Sequence, residues 1–176
     1  MARLPYPDIQ RPELRTLVER IRAQRGSVLH LYHMLLHSPP IAAGWLHYLT
    51  AIRHECELPA QLRELAIMRI AILNGASYES DQHAPIARAA GISDPQLSAL
   101  VNWPENAAMF DVDQRAVLAY TDAMTLQVQV PDDVFADVRS RLDNRKLVEL
   151  TATIAAYNMV SRFLEALRLH SDDPEL

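Results

Sequence analysis

The chain has 176 residues and a mass of 19.9 kDa, enough for one domain with a real core. With 49% apolar and 22% charged residues it has an ordinary globular composition, and a formal net charge of -5 disfavours nucleic acid, which needs a basic face. No apolar run approaches the ~20 residues that span a bilayer, and the opening MARLPYPDIQRPEL has no apolar signal-peptide core. The single cysteine, Cys56, excludes an internal disulfide framework. A cytoplasmic protein with no membrane segment is expected.

Taken in order, the elements are all helical. Pro5, Pro7 and Pro12 make residues 1–12 an extended arm, disordered or laid across a neighbouring subunit; residues 13–176 read as one domain. Pro12 suits the first turn of a helix to about Arg25, with Gly26 as its stop. Ser27 can cap a second helix through His37, ended by Ser38-Pro39-Pro40, and a third runs from about Ile41 to Glu55. Pro59 opens a fourth whose apolar residues (Leu62, Leu65, Ile67, Met68, Ile70, Ala71, Leu73) go almost all round, the mark of a central, buried helix. After Asn74-Gly75, Ser77 can cap a fifth helix that stops at Gly91, and Ser93-Asp94-Pro95 starts a short sixth. Trp103-Pro104 begins a loop to about Asp111; Asp113–Leu126, Pro131–Leu142 and Asn144–His170 complete the set. No strand finds a partner, since LQVQV before Pro131 is short and alone. The expected class is all-α, with about eight to nine helices.

Chemistry concentrates between Glu64 and His83. Glu79 and His83 are four apart on one helix, so they share a face and can hydrogen-bond. A carboxylate on one imidazole nitrogen fixes the tautomer and makes the other more basic. Glu64 comes from the preceding helix; burial and a like charge would raise its pKa and let it act as an acid while Glu79 stays ionised. The competing reading is a surface pair worth ~0.2–0.5 kcal/mol. Tyr157, Asn158, Ser161 and Arg162 interrupt an otherwise apolar last helix. Arg162 is costly to bury without a carboxylate, which would be Glu64, Glu79 or that of an anionic substrate. His30, His33 and His37 span more than one turn and rarely converge on one metal, so a polar stripe, at a subunit interface, is the better reading. Cys56 lies between Glu55 and Glu57, which disfavour a thiolate. There is no Gly-rich phosphate loop, GxSxG elbow or dinucleotide fingerprint, so no cofactor or metal is implied.

The pattern R-E-L-A-I-x-R, then N-G-x-x-Y-E-x-x-x-H and I-A-R-A-A-G-I-S, over Arg63 to Ser93, resembles the carboxymuconolactone decarboxylase family, which shares its fold with alkylhydroperoxidase D. LLHSPPIAAGWL and IAAYNMVSRFLEAL extend the resemblance over most of the chain. It implies an all-helical fold whose subunits assemble into trimers or hexamers, sometimes dimers. The redox members carry a C-x-x-C pair at the positions that are Ala76 and Glu79 here. Peroxide reduction needs an attacking thiolate and a resolving thiol, which these two residues do not supply. The lactone decarboxylase members keep the E-x-x-x-H arrangement without cysteines and are implied to need no cofactor.

The expected function is therefore a cofactor-independent acid–base enzyme, a decarboxylase, other lyase or isomerase, on a small carboxylated or lactone-like metabolite. His83 would move the proton, Glu79 would orient it, and Glu64 would be a second acid or base. Tyr78 or Tyr157 would donate to an oxyanion, and Arg162 would anchor substrate. The alternatives are an alkylhydroperoxidase-like antioxidant function using Cys56 and a partner thiol, and a non-catalytic oligomeric binding protein in which the same charges form a buried ion network.

Overall fold

The computed structural model describes residues 1–173, and among these there are nine α-helices and no strand. The chain forms two compact units: one contains Met1–Glu55 and the end of the chain from Ala166, the other Cys56–Glu165.

In the first unit a 3-10 turn, Pro12–Leu14, leads into α1 (Arg15–Arg25), which Gly26 ends at φ +80°. The second helix, α2 (His30–Leu35), starts later than Ser27 because Leu29 is still extended and no side chain caps it. Pro39 and Pro40 do not merely stop α2: they occupy the first turn of α3 (Pro39–Thr50), where a missing N–H costs nothing. A π-helical turn, Ala51–Glu55, continues α3. The arm is tied to its own chain rather than loose. Arg3 N–H donates to the Leu167 carbonyl at 2.9 Å, Tyr6 OH to Asp173 at 2.8 Å, and His37 Nε2 to the Pro5 carbonyl at 2.8 Å. The rings of His30 and His33 pack on Tyr6 at 5.5 and 6.1 Å, so the histidine stripe faces this arm.

The second unit is built round α4 (Ala60–Asn74), buried on all sides from Leu62 to Ala71 and packed chiefly on α5 (Ser77–Ala89) and α7 (Val112–Leu126). Gly75, left-handed at φ +67°, ends α4 and lets the chain fold back into α5. Ser77 is the first residue of α5 rather than its cap, and Pro85 costs that helix one backbone hydrogen bond. The short α6 (Asp94–Ala99) and α7 each begin with a full capping box, Ser93 with Gln96 and Asp111 with Gln114. Leu65, Met68, Ala87, Ile92, Leu100, Phe110 and Leu118 form one core cluster. Then come α8 (Asp132–Arg141) and α9 (Asn144–Leu167), which stops short of His170 where Arg168 turns left-handed at φ +53°. Two polar knots join the helices. Arg69 of α4 grips Asp122 of α7 through two bonds of 2.7 and 2.9 Å, caps the carbonyls of Leu100 and Val101, and shares Asp122 with the Trp103 indole. Asn158 of α9 accepts from Asn74 of α4 and donates to Thr125 of α7.

Candidate functional site

Three helices of the larger unit bring the predicted residues together: Glu64 from α4, Tyr78, Glu79 and His83 from α5, Tyr157 from α9. All are buried; Glu64 is 1%, Glu79 2% and His83 6% exposed. Glu64, Glu79 and His83 are held by hydrogen bonds rather than by apolar packing alone.

The pairing differs from the expected one. His83 Nδ1 donates not to Glu79, its neighbour one turn back, but to Glu64 Oε2 at 2.7 Å. The other oxygen of Glu64 accepts from Arg63 Nε at 3.2 Å. Burial by itself would raise the Glu64 pKa. The hydrogen bond and charge of His83, with the charge and hydrogen bond of Arg63, outweigh it and hold the carboxyl below its ordinary value. Glu64 is thus an ionised acceptor, and His83 turns the proton on Nδ1 toward it.

Glu79 has the opposite environment. Burial pushes its pKa up to about 8; a hydrogen bond from Ser161 pulls the other way, and the nearby charge of Glu165 adds to the rise. The Ser161 hydroxyl donates to Glu79 Oε2 at 3.0 Å, while Oε1, also buried, has no hydrogen-bond partner. Glu79 is therefore a neutral carboxylic acid at neutral pH. The environments expected from spacing are exchanged: Glu64 bonds the histidine, and Glu79 is the protonated group.

Tyr157 stands edge-on to the His83 ring, with centroids 5.0 Å apart and planes at 89°. It packs against the imidazole that Glu64 holds through Nδ1. Tyr78 is buried at the start of α5. Arg162 does not join the cluster. It is exposed, and it bonds the carbonyl and Oδ1 of Asn158 one turn back at 3.1 and 2.9 Å. The guanidinium that meets a site carboxylate is that of Arg63, which spacing passed over because it adjoins Glu64 in sequence. Ser161 was visible as a polar interruption of α9, but its link to Glu79 crosses 82 positions. Cys56 is partly exposed and lies within electrostatic range of Arg145.

Two carboxyl groups held in opposite protonation states, with a histidine pinned to one of them, form a proton-managing set. Ala76, at one of the two positions where the redox pattern has cysteine, is fully buried at the entry to α5, and Glu79 stands at the other.

Residues 39–123 match the model of the carboxymuconolactone decarboxylase family. The uncharacterized protein YdfG of Bacillus subtilis strain 168 is 28% identical over 107 residues, which are 60% of this chain and 72% of that protein. The structure of an uncharacterized peroxidase-related protein from Ralstonia eutropha JMP134, described as an alkylhydroperoxidase AhpD core, superposes with a TM-score of 0.82. It is 18% identical, and the match covers 98% of this chain and 93% of that one. The debrominase Bmp8, a cysteine-to-alanine variant in complex with 2,3,4-tribromopyrrole, superposes with a TM-score of 0.79 at 16% identity, over 97% and 93% of the two chains. The family model and the match of the fold agree on what the chain is similar to: residues 39–123 resemble the carboxymuconolactone decarboxylase family, and the fold is that of alkylhydroperoxidase D-like structures.

Proposed function

We propose that the protein is a cofactor-independent proton-transfer enzyme, of decarboxylase, other lyase or isomerase type, on a small carboxylated or lactone-like metabolite. The observation that carries this reading is the split between the two buried carboxyls, one ionised on His83 and one neutral beside Ser161. A site meant only to lock helices has no use for a carboxylic acid with a bare oxygen in the interior, since such a group costs stability. A site meant to move protons needs an acid and a base at one pH.

In this reading His83 Nε2 is the base. As it takes a proton, the anion of Glu64 stabilises the imidazolium, and Arg63 keeps that anion in place. Glu79 is the acid: its proton goes to the carbon or oxygen on which negative charge develops as CO2 leaves or a double bond shifts, and Glu79 becomes the carboxylate. The proton that His83 took from substrate then passes by way of water to the Glu79 carboxylate, which restores both groups and closes the cycle. The superfamily contains enzymes, being named for a decarboxylase and sharing its fold with a debrominase. Thiol peroxidase chemistry is not proposed, because Ala76 and Glu79 carry no sulfur.

The test is a panel of small lactone carboxylates and β-keto acids, followed by proton NMR for CO2 loss or solvent deuterium uptake. Turnover that disappears in His83→Ala, with helix content unchanged by circular dichroism, is expected. Undiminished turnover in that variant on any substrate so found would sink the proposal.

A further inference from the structure

The Ser161 hydroxyl is fully buried, carries one proton, and has two acceptors at the same distance: Glu79 Oε2 and the carbonyl of Tyr157, both at 3.0 Å. A serine in a helix ordinarily bonds the carbonyl one turn back, here Tyr157, and needs nothing else. The second contact reaches from α9 to α5 and meets one oxygen of Glu79 only. Glu79 Oε1 has no partner in the protein. The two oxygens of this carboxyl are thus made unequal by a single side chain.

We propose that Ser161 is a positioning residue that selects which oxygen of Glu79 carries the acid proton. By donating to Oε2 it makes that oxygen an acceptor, so the proton sits on Oε1. There the proton is presented to substrate rather than consumed in a bond to the protein. When Glu79 has given its proton away, the same hydroxyl faces the new carboxylate and stabilises it, so no side chain need move during the step. The only bond broken in Glu79 is O–H at Oε1, and the electron pair stays on the carboxyl. One titratable group bears on Glu79. Glu165 acts from α9. His83 lies one turn on along α5, tied to Glu64 of α4. Ser161 is the uncharged group that acts against burial.

This inference rests on Glu79 being the acid of the proposed reaction, but its test needs no substrate. The Glu79 side-chain carboxyl is followed by carbon-13 NMR against pH in the free, full-length protein, wild type against Ser161→Ala and Ser161→Thr. Loss of a hydrogen bond to the charged form should move the midpoint upward by about one pH unit in Ser161→Ala. Ser161→Thr, which keeps the hydroxyl and its turn-back bond, should return most of that shift. A Ser161→Ala midpoint equal to wild type in a folded protein overturns the proposal. If Ser161→Ala fails to fold, Ser161→Cys replaces it, with a weaker donor of similar size; there an unshifted midpoint is the overturning result. Failure of the acid–base reading would instead show as turnover surviving His83→Ala, with the Glu79 titration still responsive to Ser161.

Discussion

The residues of the site differ less in kind than in neighbours. Glu64 and Glu79 are the same side chain, both almost wholly buried, yet one is held ionised and the other neutral. Glu64 meets an imidazole and a guanidinium, and Glu79 meets a hydroxyl and the charge of another carboxylate. Replacing Glu64 by Gln keeps the shape but removes the anion that stabilises the imidazolium and fixes the Nδ1 proton. Turnover should fall by about 100-fold with KM little changed. The check is steady-state kinetics on the substrate found by the panel; a kcat within about twofold of wild type removes Glu64 from the orienting role. The three site residues were legible as a set because Glu64, Glu79 and His83 lie within 20 consecutive positions on two helices joined by one glycine turn. Their pairing was not. The i,i+4 rule favours a Glu79–His83 contact, and a partner on another helix overrides it.

At the scale of elements, α4 organises the larger unit. Its apolar residues go round the helix because it is packed on both α5 and α7, and that pattern is local enough to be read directly. Where expected helix starts moved, the cause was cap chemistry. Ser27 and Ser77 cap nothing, whereas Ser93 and Asp111 complete boxes with Gln96 and Gln114 three residues on. The charged knot on α4 was not foreseen, since Arg69 and Asp122 are 53 positions apart. Arg69 is buried and satisfied at every polar end by Asp122 and two carbonyls. Replacing Asp122 by Ala leaves that guanidinium without its counter-ion and the Trp103 indole without its acceptor. The expected loss is about 3–5 kcal/mol in urea unfolding, the range for breaking a buried pair from one side. A loss below about 1 kcal/mol would mean that the knot is solvated and structurally idle.

For the whole molecule the consequence is a pH dependence of stability set by the two site carboxyls. Glu79 has its pKa raised from 4.5 to about 8 by folding. Its contribution is therefore fully present below about pH 4.5 and is lost as pH rises toward 8. Glu64 is lowered, so its contribution is present above the ordinary carboxylate value and is lost as pH falls below it. Together these two groups favour mildly acid over alkaline pH. The alkaline slope should approach 1.4 kcal/mol per pH unit at most, as an order of magnitude. Glu79→Gln removes the titration but keeps a neutral group of the same shape. Urea unfolding at pH 5 and pH 8.5 should show a smaller drop in this variant than in wild type. Equal drops would mean that Glu79 does not titrate in this window.

The sequence by itself determined what short-range physics determines. It specified an all-α chain from helix formers with proline and glycine punctuation, a buried α4 from its almost wholly apolar circumference, and the lack of cysteine at Ala76 and Glu79. It also marked a candidate site, because Glu64, Glu79 and His83 fall within one helical hairpin. Only the tertiary structure decided which partners those residues meet. His83 finds Glu64 across 19 positions, and Ser161 finds Glu79 across 82. It also turned Arg162 outward onto Asn158 and gave the site Arg63 instead. The physical reason is that protonation state follows burial and partners, and partners on other helices are set by packing rather than by spacing along the chain.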